Sequence, residues 1–142
     1  GVAIDAACTP SAETPLHCLL YALDSGVGAV LHTHSVSATA LSKHSGDEIR
    51  VRGYEMQKAL TGIATHEEDI AVKIFANDQD MQALAERVRK AWRGGALTVP
   101  GFLIAGHGLY AWGRTLDEAV RHIEGFEFLF ECAWQERLAG LR

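Results

Sequence analysis

Proline and cysteine are scarce in this chain, at three residues each among 142. Pro10, Pro15 and Pro100 leave no linker, and there is no internal repeat or low-complexity tract, so the chain reads as one domain. Cys8, Cys18 and Cys132 are odd in number, widely spaced and without a C-x-x-C pair. That argues against a disulfide framework and for reduced, mostly packed thiols in a cytoplasmic protein. No uncharged apolar run approaches the roughly 18–20 residues that cross a bilayer, and the start lacks a signal-peptide pattern. An excess of positive charge is missing as well. Thirteen basic against 18 acidic residues give a net charge of −5, which argues against nucleic acid or an anionic membrane surface as partner. Three catalytic signatures are absent: the G-x-S-x-G elbow, the G-x-G-x-x-G fingerprint and the phosphate-binding P-loop.

What is present is a globular composition, 48% hydrophobic and 22% charged, enough for a packed core. Leu16, Leu19, Leu20 and Leu23 recur at helical spacing after a Thr/Ser/Pro-rich start at residues 9–15. Short apolar runs at 29–31, 49–51, 70–75, 102–105 and 109–112 read as strands. Between them, Ser35 is placed to cap a helix through Leu41, Asn77 or Asp78 to cap a second, and Thr115 with Glu118 to open a long third. The apolar stripe of that last helix is read through Leu116, Ala119, Val120, Ile123, Phe126, Phe130, Ala133 and Trp134, with His122 on its outer side. Strands and helices alternating this way predict a layered α/β domain.

The chemistry points to three histidines. His32-Thr33-His34 follows an apolar strand, and alternate residues of an extended segment face the same side, so the two imidazoles can share one metal ion. His107, between Gly106 and Gly108, also follows an apolar strand, and the glycines let the backbone bend toward another segment. Three imidazoles with a fourth position for water or substrate form a catalytic zinc pattern. Among carboxylates, Glu13 lies in a Ser/Thr-rich helix start, where Ser11 and helix amides can hold an anion, and Glu55 lies in a locally uncharged stretch. His17, His44, His66 and His122 read as packing or surface residues, and Glu67-Glu68-Asp69 as a solvated loop.

Pro10-Ser11-Ala12-Glu13-Thr14, His32-Thr33-His34-Ser35, Gly106-His107-Gly108 and the aromatic-rich final helix together resemble the class II aldolase/adducin family. The flanking stretches 10–21, 29–35, 53–56 and 106–113 resemble its dehydratase branch. The resemblance implies a three-layer α/β/α sandwich around a central mixed or antiparallel sheet. It implies Zn²⁺ held by His32, His34 and His107, with Ser11 as a phosphate contact, Ala12 standing where the aldolases have a second serine. It implies a proton-shuttling carboxylate, Glu55 by its match to the dehydratases or Glu13 by its match to the aldolases, the former being favoured. The implied substrate is a small sugar phosphate undergoing loss of water. Zinc-dependent aldol cleavage or epimerisation is the alternative, and a metal-free adducin-like interaction module the non-catalytic one. Family members assemble as ring-like tetramers with active sites near subunit contacts, so a homo-oligomer is expected. They also carry a segment before the Pro-Ser-x-Glu motif, which these 142 residues are expected to lack.

Overall fold

A computed structural model describes residues 7 and 9–141. Helix α1 spans Thr14–Leu23 and strand β1 Ala29–Thr33, followed by α2 (Val36–His44) and β2 (Glu48–Val51). A short 3₁₀ turn, Glu55–Ala59, precedes β3 (Ile70–Phe75), α3 (Met81–Arg93), β4 (Gly101–Ile104), β5 (Gly108–Gly113) and α4 (Leu116–Leu138). The five strands form one mixed sheet in the order β1-β5-β4-β3-β2. All neighbouring pairs are antiparallel except β3 with β4, which α3 connects as a crossover.

Both faces of the sheet are covered, so successive strand residues feed opposite cores. Leu103, Leu109 and Ala111 join α2, α4 and the 3₁₀ turn through Ala38, Leu41, Leu60, Phe126 and Phe130. Phe102, Ile104 and Tyr110 instead join α1 and α3 through Leu16, Leu20, Leu84 and Val88. This is the expected three-layer sandwich, with α2 and α4 on one side and α1 and α3 on the other. No helix among the described residues is long and apolar enough to cross a membrane. Cys18 and Cys132 are free, half-buried thiols; Cys8 lies outside the described residues.

Several local expectations are corrected. β1 runs on through Thr33, which puts His32 inside the strand. Helix α3 is capped by Asp80, whose carboxylate accepts from the N–H groups of Gln82 and Ala83, while Asp78 is engaged with Arg87. The helix capped by Ser35 runs past Leu41 to His44. Glu68 is no free surface charge: its carboxylate accepts the N–H groups of Ala64 and Thr65. On α4, Leu116 and Val120 are exposed, and the buried stripe runs through Ala119, His122, Gly125, Phe126, Leu129, Phe130 and Ala133. Of the phenylalanines on that helix only Phe128 is exposed.

His122 is buried because two backbone groups require it there. Its Nδ1–H donates to Trp112 O at 2.6 Å, and Nε2 accepts the Thr61 N–H at 3.1 Å. Burial pulls its pKa below the ordinary value near 6.5, against the opposing pull of the Trp112 carbonyl. The folded state therefore binds fewer protons than the unfolded chain just below that value, and stability falls as pH drops from about 6.5 toward the lower folded pKa. His17 and His32 shift in the same direction and add to this limb. In metal-free protein, thermal unfolding between pH 7.5 and 5 is expected to be less pH-dependent in His122→Gln than in the parent. An unchanged slope would remove His122 from the account.

Candidate metal centre

In the β1–β5 ladder His32 stands opposite Tyr110 and Thr33 opposite Leu109. Alternation then puts His32 and Tyr110 on the α1 side and turns Thr33 toward α4. The Tyr110 ring stacks on His32, centroids 4.0 Å apart at 20°, and on Phe102 behind it. His32 Nδ1–H donates to Leu109 O at 2.7 Å. A carbonyl only accepts, so in the neutral ring the proton sits on Nδ1 and the Nε2 lone pair is turned toward His34 and Glu13. Burial holds the His32 pKa below its ordinary value; the Leu109 carbonyl and Glu13 oppose the shift, and His34 and His107 add to it. A neutral imidazole is the form that ligates metal.

His34 is two residues further on, just past the strand, and its Nε2 lies 2.7 Å from that of His32. His107 arrives on the turn between β4 and β5. That turn is closed by His107 N–H to Ile104 O at 3.0 Å, with Gly106 at φ +63°. Gly108 answers a stricter need: a Cβ there would meet Thr33 O at 2.1 Å and His34 Cδ2 at 2.9 Å. Glu13 sits at the N-cap of α1, its Oε1 3.0 Å from His107 Nε2 and 3.5 Å from His32 Nε2. One ligand atom from each of Glu13, His32, His34 and His107 lies within 4.8 Å of all the others. Three imidazole nitrogens and a carboxylate oxygen are a donor set suited to a borderline divalent cation. The carbonyl-held Nδ1 of His32 is the usual outer support of such a ligand.

The His32–His34 pair and His107, distant from it in sequence, thus meet, and of the two carboxylates only Glu13 joins them. Glu55 lies in the 3₁₀ turn, its side chain 69% exposed, paired with Lys58 at 2.5 Å and His66 at 2.8 Å. The Lys58 ammonium holds its carboxyl below the usual range. Ser11 is exposed, and its Oγ accepts the Glu13 N–H at 3.2 Å. His17 packs edge-on to Tyr110. The sequence reading missed Tyr110, although the alternation from Gly108 onward held the signal: the residue two beyond Gly108 is an aromatic in register with His32.

The profile described as the class II aldolase and adducin N-terminal domain matches residues 1–134. The chain belongs to the class II aldolase and adducin family. A methylthioribulose-1-phosphate dehydratase of Pectobacterium carotovorum subsp. carotovorum (strain PC1) is 56% identical over 131 residues, 92% of this chain and 63% of that protein. One from Marinobacter nauticus is 53% identical over 134 residues, 93% of this chain and 64% of that protein. The chain therefore spans less than two thirds of the length of these curated relatives. The crystal structure of l-fuculose-1-phosphate aldolase from Thermus thermophilus shares the fold, with a TM-score of 0.67 at 23% identity over 99% of this chain and 67% of that one.

Proposed function

We propose that the chain is the catalytic part of a cytoplasmic, zinc-dependent methylthioribulose-1-phosphate dehydratase of methionine salvage, acting as a homotetramer. The observation that carries this reading is the convergence of Glu13, His32, His34 and His107 on one point, in a sequence more than half identical to proteins of that name. The reaction removes one water from 5-methylthioribulose 1-phosphate and yields 2,3-diketo-5-methylthiopentyl 1-phosphate. His32, His34 and His107 would hold a Zn²⁺, which would supply a Lewis acid to stabilise the negative charge that develops when the C3 proton is removed.

The chain's own groups account for the proton movements. A carboxylate accepts the C3 proton, the C4 hydroxyl departs as water with a proton returned to it, and the remaining C3 enol ketonises to the dione. Glu13 has an oxygen close to two of the imidazole nitrogens and would supply a fourth donor. Glu55 is the proposed shuttle. As an exposed carboxylate, which Lys58 holds below the usual range, it is ionised at neutral pH, as a base must be. It stands apart from the cluster of its own chain, so it acts across a contact between two copies. Ser11, exposed at the start of α1, is the proposed phosphate contact.

The test is a substrate comparison on purified protein with metal content measured. Dehydration of methylthioribulose 1-phosphate, with about one zinc per chain, is expected, and no reaction with fuculose 1-phosphate or ribulose phosphate. Carbon–carbon cleavage or epimerisation of those sugars without dehydration would replace the reading by the aldolase or epimerase one.

A further inference from the structure

Helix α2 is poor in apolar burial. Its buried residues are Ser37, Ala38, Leu41 and Ser42, so half of its buried positions carry hydroxyls. A serine in a helix interior contributes little to helix propensity, and a buried hydroxyl needs partners. Each of these has one outside the helix's own backbone, and the partners follow a pattern.

At its N-terminus α2 grows directly out of the first ligand pair. Ser35, the residue after His34, accepts the Ala38 N–H at 3.1 Å and caps the helix. One residue into the helix, Ser37 donates to Glu131 of α4. Thr33, between the two histidines, donates to Glu127 one turn earlier on α4. Further along, α2 meets the segment that carries the third ligand. Thr39 Oγ1–H donates to His107 O at 2.9 Å. Ser42 Oγ accepts the Gly106 N–H at 3.1 Å. Its single proton has Ile104 O at 3.3 Å and Thr39 O at 3.0 Å as acceptors. The turn 104–107 is therefore bonded to α2 on both sides of Gly106, the residue whose left-handed backbone makes the turn.

From this we infer that Thr39 and Ser42 are positioning residues: they register the His107 turn against the His32–His34 pair, with α2 as the rigid spacer between them. The inference rests on the metal reading above and deepens it. Their hydrogen bonds go to backbone groups, and neither belongs to the donor set. Each holds the backbone on which the third imidazole is mounted, and a shift of that backbone would spread the donor set.

The experiment measures Zn²⁺ affinity by chelator competition and the visible spectrum of the Co²⁺-loaded protein, alongside thermal unfolding of the metal-free form. Thr39→Val keeps the side chain's shape and removes only the hydroxyl; Ser42→Ala does the same at the buried position. Each is expected to weaken Zn²⁺ binding by at least about tenfold, the usual effect of removing an outer support, and to change the Co²⁺ spectrum. Thr39→Ser, which restores the hydroxyl, is expected to behave like the parent in both readouts and guards against a folding failure in the other two. Parent-like affinity and spectrum in Thr39→Val, with only a lower unfolding temperature, would make the hydroxyls structural and overturn the inference. A parent protein that binds neither ion would overturn the metal reading itself, an outcome visible before any variant is made.

Discussion

Gly108→Ala is expected to abolish tight metal binding without altering a single donor. The added methyl has no place to go. Its position lies 2.1 Å from Thr33 O and 2.9 Å from His34 Cδ2, and a backbone oxygen cannot rotate aside as a side chain can. β1 and β5 must part at the rung where His34 leaves the sheet and His107 enters it. The overpacking costs stability toward the upper end of about 1–3 kcal/mol. The larger consequence is that the two halves of the donor set separate. Gly106→Ala is the matching control. A Cβ there finds nothing nearer than the Lys43 side chain at 3.8 Å, so only the left-handed backbone opposes it, at about 1–2 kcal/mol. Metal titration and unfolding of both variants check the argument. Equal retention of zinc in the two would show that close approach of the strands is not what assembles the centre.

The second large effect concerns the division of labour between the two carboxylates. Glu55→Gln is expected to lower turnover by about 10²–10⁴-fold while zinc content stays near one per chain, since the side chain is remote from its own cluster. His34→Ala is expected to lose both zinc and turnover. If the shuttle comes from a second copy, the two inactive proteins complement each other. Mixed after mild dissociation and reassembly, they should recover roughly a quarter of parental activity, because about one contact in four joins an intact metal cluster to an intact Glu55. No recovery, with mixed assemblies demonstrated, would confine each site to one chain and transfer the shuttle to Glu13.

How much of this is legible in the sequence depends on the range of the interaction. His32 and His34 can be paired from sequence because strand geometry has a period of two and acts locally. His107 is marked by its flanking glycines. That Glu13 joins the cluster and Glu55 does not is not legible, since it depends on where the start of α1 docks, and no local pattern carries that. The misplacement of His122 has the same origin. Apolar spacing phases the α4 stripe on Leu116 and Val120, yet the helix is turned so that an imidazole can serve the Trp112 carbonyl and the Thr61 N–H, groups set on other elements. The cap of α3 is missed for a smaller reason. Asp78 and Asp80 are equally good capping residues by type, and the Asp78 carboxylate is instead occupied by the Asp80 N–H and by Arg87.

The four donors of the centre come from positions 13 to 107, spread across most of the polypeptide, and are mounted on α1, the end of β1 and the β4–β5 turn. A bound cation would therefore also be a cross-link, a removable counterpart of a disulfide in a chain whose described cysteines, Cys18 and Cys132, are free. It would tie the edge strand β1 and helix α1 to the middle of the sheet, and because the donors gather only in the folded chain it would stabilise that state over the unfolded one. Loading of that centre and resistance to unfolding would then be thermodynamically linked.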